Sequence, residues 1–138
     1  MTTYDTDYIE WIEETVELLR KKMYSAVDWE NLIDEIEDMS RSEKRAVESL
    51  LLRLIEHIYK LEYWLEEKER CGNHWESEIA NFQHQIERII KNSPSLKVHL
   101  QAEYQDTLEA AKFAIEKLIK RKLPKLDLTL DAALKYNR

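Results

Sequence analysis

The sequence predicts an all-α protein: a compact, up-and-down bundle of four to five main helices with a short C-terminal helical segment, forming a single domain over residues 1–138. Three observations lead there. One Gly and two Pro in 138 residues are too few for the turns of sheets and barrels. Apolar residues recur at helical spacing along most of the chain. The stretch from Ser42 to about Lys68 is apolar round most of its circumference, as a helix covered by neighbours on several sides must be. Val47, Leu51, Leu54, Ile58, Leu61 and Leu65 form its stripe, Leu50, His57 and Trp64 widen one flank, and Leu52, Ile55, Tyr59 and Tyr63 widen the other. Four Trp, seven Tyr and 43% hydrophobic residues supply ample surface to bury, which argues against disorder.

Taken in order, the first helix starts after Asp5 or Thr6 and runs to Lys22, with Ile9, Ile12, Val16, Leu19 and Met23 on one face and Tyr8, Trp11 and Leu18 beside it. Arg20, Lys21 and Lys22 suit the negative end of its dipole. Asp28 is the expected N-cap of a second helix, whose buried face is Trp29, Leu32, Ile33, Ile36 and Met39. The apolar phase slips after Met39, and Ser40-Arg-Ser42-Glu43 contains the Ser-x-x-Glu form of a capping box, so a break is expected before the central helix. That helix is expected to end near Lys68 to Arg70, ahead of Cys71-Gly72, because Gly commonly follows a helix end. Asn73 and Glu76 then cap a helix carrying Trp75, Ile79, Phe82, Ile86, Ile89 and Ile90.

Ser93-Pro94 opens a fifth helix, since Pro loses nothing at the first helical position. The helix runs to about Lys122 with Leu96, Leu100, Glu103, Thr107, Ala111, Ala114 and Leu118 inward, so Glu103 needs a partner or an edge. Pro124 ends it. Leu126, Leu128 and Leu130 lead into a last short helix with Thr129 as its candidate cap.

Charge and composition narrow the function classes. The net charge is −7, with 19 acidic against 10 basic side chains in residues 1–70 and 9 against 11 in residues 71–138. A strongly negative half argues against nucleic acid as partner. The basic cluster Lys117, Lys120, Arg121, Lys122 and Lys125 is read as cations answering a helix C-terminus. A single Cys71 leaves no disulfide framework and no Cys-pair zinc site. No apolar run approaches the ~20 residues of a membrane span, and the acidic N-terminal stretch is unlike a signal peptide. The expectation is a soluble, acidic, cytoplasmic protein.

With its segments laid out, the chain resembles a bacterial family catalogued as a domain of unknown function, number twenty-nine in that series. The resemblance is carried by Tyr4-Asp-Thr-Asp-Tyr8 with Trp11, the run from Asp28 to Met39, Ser42-Glu43, His57, Lys60 and Trp64, Trp75 with Ile79, Ser93-Pro-Ser-Leu96, and Tyr104. It implies a compact helical domain and brings no activity with it.

Two constellations could carry chemistry. Glu13-Glu14-Thr-Val-Glu17 and Glu35-Ile-Glu-Asp38 have an EExxE and ExxD order similar to all-helical nucleoside triphosphate pyrophosphohydrolases, where carboxylates of two helices hold Mg²⁺ against a triphosphate. Phase opposes this, because at ~100° per residue the three glutamates point away from the apolar stripe of their helix. Asp38 likewise falls outside the apolar face of the second helix, with Glu35 on its flank. A second set gathers Glu35, His57, Lys60 and Glu103, in which a His with two carboxylates could ligate a metal or act as a base. It lacks the paired Glu-x-x-His motifs of bundle metal sites. Cys71 near His74 has no orienting carboxylate, and one Gly cannot build a phosphate loop.

The leading expectation is a protein-interaction or self-association module without catalysis, with no assigned catalytic residues, no resident metal or cofactor, and an unknown protein or a second copy as partner. The alternative is the Mg²⁺-dependent pyrophosphohydrolase using Glu13, Glu14, Glu17, Glu35 and Asp38.

Overall fold

A computed structural model describes residues 2–137. All regular structure among them is helical: α1 (Thr3–Thr6), α2 (Tyr8–Arg20), a 3₁₀ turn (Tyr24–Ala26), α3 (Trp29–Tyr63), α4 (Leu65–Asn92), α5 (Ser95–Ile119) and α6 (Leu130–Leu134). The chain divides into two compact units, one ending at Ser42 and the other beginning at Glu43.

The first unit holds α1, α2 and the N-terminal part of α3. Asp7 caps α2 by accepting from Glu10 N–H at 3.1 Å, and Asp28 caps α3 by accepting from Asn31 N–H at 3.3 Å, each satisfying one of the free donors of a first turn. Lys22, in the left-handed region at φ 59°, follows the end of α2. Among the described residues of this unit only Trp11, Thr15 and Val27 are buried.

In the second unit the C-terminal part of α3, α4 and α5 enclose one core. It contains Val47, Leu51, Leu54, Ile55, Ile58 and Leu61 from α3, Trp75, Ile79, Phe82 and Ile86 from α4, and Leu96, Leu100, Leu108, Ala111 and Ile115 from α5. Trp64 stacks on Trp75 and His57 meets Phe82 edge-on, pairs in reversed order that run α4 back along α3. His99 reaches Glu48 while Arg121 donates to the Tyr63 carbonyl, so α5 runs parallel to α3.

The C-terminal segment seals this core. Leu123, Leu126, Leu130, Ala133 and Leu134 are buried in it, and its backbone is held by side chains from all three helices. Tyr59 donates to Pro124 O at 3.1 Å and accepts from Leu126 N–H at 2.9 Å. Tyr104 donates to Leu128 O at 2.7 Å, and the Gln83 amide donates to Ala133 O and Tyr136 O at 3.0 and 2.8 Å. Thr129 caps α6 as expected, accepting from Ala132 N–H.

Several boundaries differ from the sequence expectation, beginning with the first helix, which is split at Asp7 into α1 and α2 and ends at Arg20. α3 runs unbroken through Ser40-Arg41-Ser42. The stretch is exposed, where Ser is tolerated, and Arg41 ties back to Glu37 and Asp38 at 2.8 and 2.5 Å, the i,i+3 and i,i+4 pairing that supports a helix. The break expected at Gly72 falls instead at Trp64, whose ψ of 65° turns the chain. Gly72 is buried inside α4, where an added Cβ would lie 3.3 Å from the Lys68 stem and 3.9 Å from Leu61. Asn73 and Glu76 are therefore interior helix positions. Finally, α5 ends at Lys120, which takes the left-handed conformation at φ 58°, ahead of Pro124.

Candidate functional site

α2 and the N-terminal part of α3 form a two-layer arrangement with its apolar stripes only half covered. Between them runs a narrow cleft of about 170 Å³. Tyr8, Trp11, Ile12, Thr15, Val16 and Leu19 line it from α2, and Leu32, Glu35, Ile36 and Met39 from α3. Much of this lining meets water: Val16 is 40% exposed, Ile36 57% and Met39 68%. Ile9 and Ile33, on the same two helices, are also exposed.

Both oxygens of the single carboxylate in the lining are engaged. Glu35 accepts from Tyr4 on one oxygen and from Tyr8 on the other, each at 2.5 Å. These two hydrogen bonds hold its carboxyl below the usual carboxylate range, while the Tyr4 hydroxyl, donating to a carboxylate, is pushed up to about 12. Tyr4 and Tyr8 also flank Trp11, with ring centroids 4.7 and 6.3 Å away. Sequence reasoning singled out Glu35 without its donors. The signal was present, since Tyr4, Tyr8 and Trp11 follow one another at i, i+4 and i+7.

The other candidate residues lie outside this lining. Glu13, Glu14 and Glu17 are exposed, Glu17 pairing with Lys21, and Asp38 is exposed and paired with Arg41. Among the described residues no group of three or more His, Cys, Asp or Glu is placed to hold a metal ion. In the second set, Glu35 belongs to the first unit and His57, Lys60 and Glu103 to the second. His57 is half-buried, its Nδ1 2.7 Å from Arg53 O and its ring against Phe82, and burial lowers its pKa.

Glu103 is exposed beside Arg45, Glu48 and Asp106 in a shallow surface cleft. The inward face of α5 is thus Leu96, Leu100, Tyr104, Leu108, Ala111 and Ile115, and not the Glu103–Thr107–Leu118 face expected from sequence. Small residues at several phases blurred the stripe, and Tyr104, whose ring is buried and whose hydroxyl is bonded, decides it.

A second cleft, of about 510 Å³, lies at the end of α5, lined by Phe113, Glu116, Lys117, Lys120, Arg121 and Lys122. Arg121 there is committed to Glu66 at 2.7 Å and to Tyr63 O, and Glu116 accepts from Leu123 N–H. These contacts anchor the start of the C-terminal segment.

Fold and surface together define an all-helical protein without a strand among its described residues and without a helix there long and apolar enough to cross a membrane. Its distinguishing surface is an uncovered apolar cleft set among acidic side chains. The chain belongs to the family described as domain of unknown function DUF29, whose family model matches residues 3–136. No curated protein and no solved structure matches it.

Proposed function

We propose that this protein is an interaction module that binds another protein through the open face of its first unit and catalyses no reaction. The observation that carries this reading is the cleft between α2 and α3, where Val16, Ile36 and Met39 remain 40 to 68% exposed. Covering what remains exposed of one such side chain is worth ~1 kcal/mol, so the face holds unused binding energy, and contiguous exposed apolar surface of this kind marks interaction sites. A slot between two helices, apolar except for Thr15, the Tyr8 hydroxyl and the Glu35 carboxylate that Tyr8 bonds, suits the seating of a partner helix.

Immobilised wild type and the double variant Ile36→Asp/Met39→Asp would be compared for proteins retained from cell extract. Both positions are exposed, so the variant is expected to melt close to wild type yet lose the retained proteins. Retention of the same set by both would refute the reading.

A further inference from the structure

Resting on that reading, we infer that the occupant of the cleft is a basic amphipathic helix of another protein, about three turns long. The first unit, through Ser42, carries 12 acidic and 4 basic side chains, a balance of −8, whereas residues 43–138 carry 16 and 17, a balance of +1. The negative charge is therefore concentrated in the unit that holds the apolar cleft. Glu13 is exposed on α2 outside the cleft lining, four residues after Ile9 and three before Val16, and enters no ion pair among the described residues. Glu37 follows Ile36 and lies one turn after Ile33 on α3, where Arg41 already pairs with it. Of the four cations, Lys21 and Arg41 are already paired within the unit.

This distribution selects against a second copy on the same face, because pairing two such faces would set −8 against −8. It selects for an apolar stripe flanked by Lys or Arg. On α2 the lining runs from Tyr8 to Leu19, which at 1.5 Å per residue is ~17 Å, or three turns.

The test uses three fluorescent 14-residue helical peptides sharing one leucine stripe, with Lys, Gln or Glu at every other position, titrated onto the full chain by fluorescence anisotropy. The Lys peptide is expected to bind about tenfold or more tighter than the Gln peptide, with the Glu peptide weakest and the preference shrinking as salt rises. Ile36→Asp is the decisive variant. It adds negative charge, so diffuse attraction would strengthen binding, whereas docking in the cleft requires binding of the Lys peptide to fall by about tenfold or more. Circular dichroism verifies that the variant is folded.

Equal binding of the Gln and Lys peptides would overturn the basic occupant while leaving an apolar docking cleft. No peptide binding together with a dimer that Ile36→Asp dissociates would replace the foreign helix with a second copy. Absence of binding in a monomeric chain would overturn both the occupant and the docking reading.

Discussion

The two units are written in the same amphipathic code but end differently, and α3 carries both outcomes in one continuous helix. Ile33, Ile36 and Met39 on its N-terminal part are 52 to 68% exposed, while Val47, Leu51, Leu54 and Ile58 on its C-terminal part are fully buried. In the second unit three helices and a returning C-terminal segment close every side of the stripe, and tyrosine hydroxyls fasten that segment by its backbone. In the first unit α2 faces α3 with a 170 Å³ cleft left open between them. A helical stripe thus states which face seeks cover and leaves open what provides it.

The largest separation between the units should come from truncating the two ends of that stripe. Leu54→Ala is expected to cost ~2–5 kcal/mol through lost burial and a cavity, and Ile36→Ala to stay within ~0.5 kcal/mol, both read by urea denaturation. Similar losses at the two positions would mean that Ile36 is covered in solution, and the contrast would fail.

Next comes the fastening of the C-terminal segment. Tyr59→Phe removes a donor to Pro124 O and strands the Leu126 N–H in a buried position, for an expected loss of ~1–3 kcal/mol. Tyr104→Phe, which removes one bond to Leu128 O, should cost ~1 kcal/mol. If hydrogen exchange of residues 123–130 were unchanged in Tyr59→Phe, the hydroxyl would not be what holds them.

The first unit has its own, weaker fastening, and it titrates. Because the Glu35 carboxyl is held below its ordinary value when folded, its contribution is present above that ordinary value and is lost as pH falls through the lowered one. The Tyr4 hydroxyl, pushed up to about 12, acts in the opposite sense, its contribution fading as pH rises from its ordinary value of 10 through about 12. The melting temperature of wild type should therefore exceed that of Tyr4→Phe/Tyr8→Phe at neutral pH, with the gap narrowing in acid and in strong alkali. A gap independent of pH would assign the tyrosines a packing role only.

Smallest are the backbone effects. The only glycine lies inside α4 while Lys120 takes the left-handed turn that glycine prefers. Gly72→Ala should stabilise by ~0.5–1 kcal/mol, provided the flexible Lys68 stem yields at 3.3 Å. Lys120→Gly should stabilise by ~1 kcal/mol by relieving the left-handed strain. Thermal melts of both variants check these signs.

Local chemistry was legible wherever a short stretch decides the outcome. Asp28 and Thr129 cap helices because their side chains reach donors three residues on, and the stripes of Val47 to Leu61 and Trp75 to Ile86 are buried as their spacing requires. Local signals failed where neighbours outvote them. Ser42-Glu43 resembles a helix start, yet Glu37, Asp38 and Arg41 carry α3 across it, and Gly72 resembles a stop, yet it lies buried inside α4.

The sequence by itself determined that this protein is helical, where most of its apolar faces lie, and that its negative charge crowds the N-terminal part. Those properties follow from composition and the 3.6-residue period, which act over a few turns. Only the tertiary structure decided that the stripe of α3 is covered at one end and open at the other, that Glu35 is satisfied by Tyr4 and Tyr8, and that Glu103 is exposed. These outcomes depend on which distant segment arrives at a given face, and no local periodicity encodes that.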